Sequence, residues 1–251
     1  VIDANTQEIK QGGKRRGANM AILRIDHPDI VKFIKMKTKD NGTLTNFNIS
    51  VAVTNAFMEK LQKYPNENFD TIFNEAKFNV LKENDSWVVS DIGADVYTNV
   101  EIWDMIAESA WTCADPGIVF IDRINAQMPA SYLNGKTIIR ATNPCGEQPL
   151  PDYGSCNLVA INLGNFISEE AVDWDELKKA TTYAYRLAEA VIDNNVYPVK
   201  AIDKYSNSYR NVGIGVMGYA DACCMLGLKY GSDDALEFAD EIMRFIYKWS
   251  F

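Results

Sequence analysis

The chain has 251 residues, 47% of them hydrophobic and 24% charged, which is enough for one large core or two domains. A formal net charge of −9 argues against a general nucleic-acid binder, and no apolar run approaches the ~18–20 residues of a membrane span. Five cysteines without a C-x-x-C pair or a secretory signal indicate reduced thiols in a cytoplasmic setting, and a single histidine leaves few ligands for a metal.

In chain order, Met20 to Ile25 reads as a short strand. Asp26-His27-Pro28 resembles a helix start, with Asp26 or His27 as cap and Pro28 in the first turn; Ile30, Phe33 and Ile34 give that helix one apolar face. Lys35, Lys37 and Lys39 are expected at its solvated end. Phe47 to Val53 reads as a strand, and Thr54 is placed to cap a helix carrying Phe57, Met58 and Leu61. Tyr64 to Ser90 is polar and asparagine-rich and reads as a surface excursion with a weak hairpin at Phe78 to Val89. Val100 to Cys113 is an amphipathic helix, Asp115-Pro116-Gly117 a turn, and Ile118 to Ile121 a strand. Met128 to Arg140 is a loop. Leu158 to Leu163 suggests another strand. Asp173 to Asn194 is a long helix with Leu177, Ala180, Ala184, Leu187, Ala188 and Val191 inward. Two more helices are expected, at Ile214 to Leu226 and, capped by Ser232, at Asp233 to Tyr247. Strands alternating with helices indicate an α/β fold.

Two segments carry chemistry. In Asn143-Pro144-Cys145-Gly146-Glu147 an amide, a thiol and a carboxyl group alternate, so in extended chain all three face one side, and Cys156 follows in Ser155-Cys156-Asn157-Leu158. A sulfur to react, a carboxylate to move protons and an amide to orient a substrate form a compact kit. The same residues also suit a turn with a buried, inert cysteine, and spacing alone leaves both readings open. The second segment, Lys10 to Met20, sets paired glycines beside Lys14, Arg15 and Arg16, which suits a phosphate or a nucleobase; a solvated basic turn is the alternative. Asp122-Arg123 suits an ion pair or a site wall, and Cys113, Cys223 and Cys224 read as packed helix thiols.

Together, Gln11 to Met20, His27-Pro28-Asp29-Ile30, Phe47 to Val51, Asp115-Pro116-Gly117, Asn143 to Leu150, Ser155 to Leu158 and Gly213 to Gly218 resemble the large catalytic subunit of ribonucleotide reductases over essentially the whole chain. The wording is most similar to the adenosylcobalamin-dependent class II enzymes. The resemblance implies a partial catalytic barrel over 1–251, from a ten-stranded α/β barrel with a central finger loop at about 141–157. It implies that Cys145 carries a thiyl radical that abstracts the 3′ hydrogen of a ribonucleotide, with Glu147 taking the 3′-hydroxyl proton and Asn143 orienting the sugar. Asn143, Pro144, Cys145, Gly146 and Glu147 would contact substrate, and Cys156 would be one member of the reducing cysteine pair. Lys10, Gln11, Arg15 and Arg16 fall in the effector-specificity loop. Implied partners are a ribonucleotide, dNTP or ATP effectors, adenosylcobalamin and a thioredoxin-like reductant, with a homodimeric parent allowed and neither nucleic acid nor membrane. The second reducing cysteine, most of the effector helices and the later strands would lie outside this segment of a longer protein. Val159-Ala160 stands where the family usually has Gly-Ser, and Cys113-Ala114 where a Gly is common before Asp115. Three alternatives remain at this stage: a class I large subunit that needs a radical-generating partner, a non-catalytic nucleotide-binding remnant, and a cysteine-nucleophile hydrolase.

Overall fold

The computed structural model describes residues 2–8, 10–11, 14–38, 44–89, 94–128, 137–168 and 171–250. The chain divides into two compact units, Val1–Asp152 and Tyr153–Phe251. The α/β reading holds in both. The strands lie in sheets of two or three, and a closed barrel is not formed among the described residues.

The first unit opens with helix α1 (Ile2–Glu8), which the sequence reading did not anticipate, and a two-residue antiparallel ladder of β1 (Lys10–Gln11) with β2 (Arg15–Arg16). Its frame is a parallel sheet of β3 (Asn19–Arg24), β4 (Phe47–Val53) and β8 (Gly117–Phe120), with β4 in the middle. In β4 the pleat sends Ile49, Val51 and Val53 to one face and Asn48, Ser50 and Ala52 to the other. Val51 and Val53 join a core made with Ile30, Val31 and Ile34 of α2 (Ile30–Lys35) and Ile102 and Ile106 of α4 (Asn99–Cys113). Each fully buried aliphatic side chain contributes roughly 1.5–3 kcal/mol. That packing, rather than propensity, holds a six-residue helix such as α2. On the opposite face Ala52, Val119, Ile121 and Ile139 form a smaller cluster.

The start of α2 differs from expectation. Asp26 to Asp29 form a turn in which the Asp29 N–H donates to His27 Nδ1 (3.0 Å), so the helix begins after Pro28. Nor is its end simply solvated. Lys35 donates to Asp85 (2.9 Å) and Tyr97 (2.9 Å), and Lys37 pairs with Asp115; Lys39 lies outside the described residues. Thr54 caps α3 (Asn55–Lys63) by accepting the Phe57 N–H (3.2 Å), as read. The polar excursion is more than surface: β5 (Asp70–Phe73), β6 (Ala76–Val80) and β7 (Trp87–Val88) make an antiparallel sheet, and Phe69, Val80 and Tyr97 enter the core. Thr98 and Glu101 form a capping box on α4, and a short α5 (Ile121–Ala126) follows β8. There Asp122 accepts the Asn55 N–H (2.8 Å) while the Arg123 guanidinium lies over the Phe120 ring.

Strands β9 (Ile139–Thr142) and β10 (Pro149–Pro151) close the first unit as an antiparallel pair. In the second unit β11 (Asn157–Asn162) precedes a hairpin of β12 (Ile167–Ser168) and β13 (Ala171–Val172). Helix α6 (Trp174–Asn194) buries Leu177, Thr181, Ala184, Ala188 and Ile192, a narrower face than expected; Leu187 and Val191 are exposed. Helix α7 (Lys200–Tyr209) was not anticipated. The expected helix at Ile214 to Leu226 is a strand and a helix, β14 (Val212–Met217) and α8 (Tyr219–Met225). Val212, Ile214 and Val216 alternate with Gly213 and Gly215, a period of two, and β14 runs parallel to β11. A Cβ at Gly213 would collide with the Leu158 side chain, so glycine there permits the close strand pairing. Within α8 Cys223 is buried as read, but Cys224 is exposed. Ser232 caps α9 (Asp233–Trp249) as expected. None of the described helices is long and apolar enough to cross a membrane.

Candidate functional site

The Asn143-to-Glu147 stretch is not extended. It forms the tight turn that joins β9 to β10. The Asn143 N–H donates to Gln148 O (3.2 Å), the Gly146 N–H donates to Asn143 O (3.0 Å), and Asn143 Oδ1 accepts the Gln148 N–H (2.9 Å). Local chemistry dictates this reversal. Pro144 fixes its own φ, Gly146 supplies a φ of +82°, and an asparagine side chain closes a turn on a nearby backbone N–H. The alternation argument therefore fails, because Asn143, Cys145 and Glu147 are not on one face of a strand.

The turn nevertheless presents its sulfur. Cys145 is exposed and, with Pro144 and Gly146, lines a cavity of about 330 Å³ whose other walls include Asn48, Ser50, Asp115 and Gly117. Glu147 is exposed, and neither it nor Asn143 lines this cavity. Four residues to which the sequence reading gave no role in a site, Asn48, Ser50, Asp115 and Gly117, build the wall. Asn48 Nδ2 donates to Pro144 O (2.6 Å). Asp115 accepts the Ile49 N–H (3.3 Å) and pairs with Lys37 Nζ (2.7 Å), with side chains only 19% and 11% exposed. At Gly117 an added Cβ would stand 2.8 Å from Ser50 Oγ, so β8 approaches β4 with no room for a side chain. The signal for Asn48 and Ser50 was present as the polar half of the alternation in β4; that for Asp115 was hidden in a Pro-Gly turn.

Cys156 belongs to the second unit, just before β11. It is partly exposed, and its thiol lies 3.5 Å from Asn157 O. It lines a small cavity of about 170 Å³ with Ser155, Ser206, Asn211 and Tyr197. Ser155 and Ser206 hydroxyls lie 2.5 Å apart, and Asn157 Nδ2 donates to Ala188 O (3.2 Å). Burial pushes the Tyr205 hydroxyl above its usual range, although Asn211 donates to it, and the Tyr205 ring stacks on Tyr209 at 4.5 Å.

Of the basic segment, the backbone of Lys10, Gln11, Arg15 and Arg16 forms the short β1–β2 ladder. Their side chains, with Gly12 and Gly13, lie outside the described residues. A larger cleft of about 700 Å³ opens elsewhere in the first unit, lined by Ile22, Arg24, His27, Asp122, Ile139 and Arg140. Both its arginines are already paired, Arg24 with Asp26 (2.6 Å) and Arg140 with Asp152 (2.9 Å). It holds neither Cys145 nor Cys156, so volume alone does not make it the site.

Residues 1–251 match the family model of the ribonucleotide reductase barrel domain. The chain belongs to that ribonucleotide reductase family. It is 42% identical over 247 residues to a vitamin B12-dependent ribonucleoside-diphosphate reductase of Thermoplasma acidophilum, covering 98% of this chain and 30% of that protein. It is 36% identical over 244 residues to the protein of the same description from Mycobacterium tuberculosis, covering 97% and 32%. A ribonucleoside-diphosphate reductase subunit alpha from Chlamydia pneumoniae is 29% identical over 259 residues, covering 95% and 24%. The chain thus spans about a third of the length of these two vitamin B12-dependent relatives. For a ribonucleotide reductase barrel segment, the Cys145 turn and the cavity it lines are the features to explain.

Proposed function

We propose that the full-length protein is an adenosylcobalamin-dependent ribonucleotide reductase and that residues 1–251 are part of its catalytic barrel, which closes with ten strands once the rest of the chain is added. The observation that carries this reading is the Cys145 thiol, exposed on a tight turn whose carbonyl neighbour is tied to the parallel sheet, at a cavity with polar walls. In this reading the turn is the tip of a finger loop at about 141–157.

The chemistry follows from the residue types. A sulfur–hydrogen bond is close enough in strength to an activated sugar carbon–hydrogen bond for reversible exchange. As a thiyl radical, Cys145 takes the hydrogen atom from C3′ and later returns it. Glu147 accepts the 3′-hydroxyl proton as general base, which helps the sugar radical expel the 2′-hydroxyl as water after protonation. Asn143 uses its Oδ1 to hold Gln148, leaving its Nδ2 hydrogens for a sugar hydroxyl. Pro144 and Gly146 shape the same contact. Two electrons come from Cys156 and a second cysteine elsewhere in the full chain, which end as a disulfide that a thioredoxin-like dithiol reduces.

Adenosylcobalamin, when bound, supplies the radical-generating chemistry. The exposure of Cys145 fits a cofactor that must reach its sulfur, but a cavity of about 330 Å³ does not hold a corrin ring, which would rest on parts of the protein beyond this segment. Lys10, Gln11, Arg15 and Arg16 form the specificity loop that couples a dNTP or ATP effector to the substrate base. The parent is cytoplasmic and acts on free nucleotides, as a homodimer in the simplest arrangement. A class I enzyme with a separate radical-generating subunit is the second reading, supported by the chlamydial alpha subunits; the higher identity to B12-dependent relatives favours the first.

The test is Cys145→Ser in the full-length protein. Reduction should be abolished while nucleotide binding stays within about twofold, the pattern of a group used only in the chemical step. Retained turnover sinks the radical role. Activity of the unmodified protein with adenosylcobalamin and no second subunit separates the first reading from the class I reading.

A further inference from the structure

We infer that Asn48 is a positioning residue for Cys145, and that the Lys37–Asp115 ion pair holds Asn48 in place. The inference rests on the radical reading for its kinetic consequence, but its structural basis is independent of that reading.

Asn48 lies 96 positions before Pro144, yet its Nδ2 donates to the Pro144 carbonyl at 2.6 Å. That carbonyl belongs to the peptide bond whose nitrogen is Cys145's own. The Asn48 bond therefore joins the turn to the middle strand of the sheet, one peptide unit from the sulfur-bearing residue. Among the described residues the turn's remaining bonds are internal or to its own β9–β10 hairpin: Gly146 to Asn143, Asn143 to Gln148, Gln148 to the Asn143 side chain, and the Thr142 hydroxyl to Asn143 O. Such bonds fix the shape of a turn and leave its placement over a cavity to whatever reaches it from outside.

A positioning group must itself be fixed, and Asn48 is held on both sides. The preceding carbonyl, Phe47 O, accepts a hydrogen bond from Lys37 Nζ. The following amide, Ile49 N–H, donates to Asp115 Oδ1 at 3.3 Å, and the two clamping side chains pair with each other at 2.7 Å. The pairing of β4 with β8 begins only at Ser50 opposite Gly117, because Pro116 has no N–H to offer. The Asp115 carboxylate thus extends the ladder by one residue, where the peptide ladder has stopped. Both partners are largely buried, so the clamp is shielded from water and salt more than a surface pair would be. The result runs from a buried ion pair through three consecutive residues of a central strand to the backbone beside Cys145. Asn48 and Asp115 also line the cavity that Cys145 lines.

Asn48 is exposed on the sheet face, so its replacement does not put folding at risk. In the full-length protein, Asn48→Asp keeps the side-chain size, removes the donor and sets a carboxylate against the Pro144 carbonyl. Hydrogen exchange of the 143–148 segment, read by mass spectrometry, should speed up in Asn48→Asp and not in Asn48→Gln, which retains an amide donor. In kinetics, Asn48→Asp should lower kcat by about tenfold or more with KM within about twofold, as misplacement of a reacting group does. It should also raise the isotope effect seen with 3′-deuterated ribonucleotide; Asn48→Gln should recover part of kcat. Partial unfolding would lower kcat without altering the isotope effect, so that pattern overturns the inference. Unchanged exchange in the segment overturns it as well, whatever the kinetics. Faster exchange together with an active Cys145→Ser protein would leave the positioning role standing and remove the radical reading alone.

Discussion

The two candidate thiols sit in opposite kinds of surroundings. Cys145 is exposed on a turn of six residues that is pinned by backbone bonds and by an asparagine from a distant strand. Cys156 is partly enclosed in a niche of about 170 Å³ beside two hydroxyls 2.5 Å apart and a stacked tyrosine pair. A sulfur that must meet a substrate carbon at one fixed place benefits from a rigid pedestal. A sulfur that must form and lose a disulfide needs access for a second thiol and some freedom to turn toward it. The first unit invests in backbone restraint at its thiol, the second in side-chain enclosure.

The sharpest way to break this contrast is Cys156→Ser in the full-length protein. Deoxynucleotide should not form even in one pre-reduced turnover, because half of the reducing pair is gone, while hydrogen abstraction by Cys145 survives and shows as base release from the nucleotide, measured by rapid quench. Loss of base release as well would put both sulfurs in the same chemical step. A smaller effect is expected from Gly146→Ala. Forcing a side chain into a φ of +82° costs roughly 1–2 kcal/mol and loosens the pedestal, so denaturant unfolding should shift and kcat should fall. Unchanged kcat would mean that the turn's shape is not what serves Cys145.

The smallest effect tests the frame behind the pedestal. Thr98→Ala removes the cap of α4, with an expected loss of about 0.5–2 kcal/mol. The Lys82 bond (2.8 Å), opposed by burial and aided by Thr98, holds the Glu101 carboxyl below its usual range. A carboxyl lowered by folding stabilises above its unfolded pKa of about 4.3, and that contribution disappears as pH falls through the lower folded value. Acid titration of stability should therefore show a smaller drop in Thr98→Ala than in the unmodified protein. Parallel acid profiles would remove Glu101 from the account.

Legibility in the sequence followed the range of the interactions. Thr54, Thr98, Asp173 and Ser232 stand at helix starts because a side-chain oxygen serves an amide three residues on, and all four starts were readable within a residue or two. Strand β4 was readable end to end from its β-branched content and alternation. The segment at Val212–Met225 was misread because Gly213, Gly215 and Gly218 dilute the period-two signal; Gly213 faces the Leu158 side chain of a strand more than fifty residues earlier, and Gly218 takes a positive φ where the helix begins. At the site, the reactive residues were visible as a motif, but their geometry was not, since a single positive φ at Gly146 converts an extended reading into a reversal. Lys37 and Asp115 were silent because each acts on a neighbour far away in sequence, and Asn48, visible as a polar strand position, gave no sign that its partner is Pro144. Each looked locally like an ordinary strand, helix-end or turn residue.

The near-contact of Gly117 with Ser50 has a bearing on how this pocket can diversify. Where a hypothetical methyl group would meet the serine oxygen at 2.8 Å, one wall is bare main chain and admits no variation in size. Drift or engineering that aims to widen, narrow or recolour the recess works from its other lining positions, of which Met20 lies opposite Asn48 on the same face of the sheet. A substitution at Gly117 must displace the Ser50 hydroxyl, whereas a library at Met20 would sample new shapes without that clash.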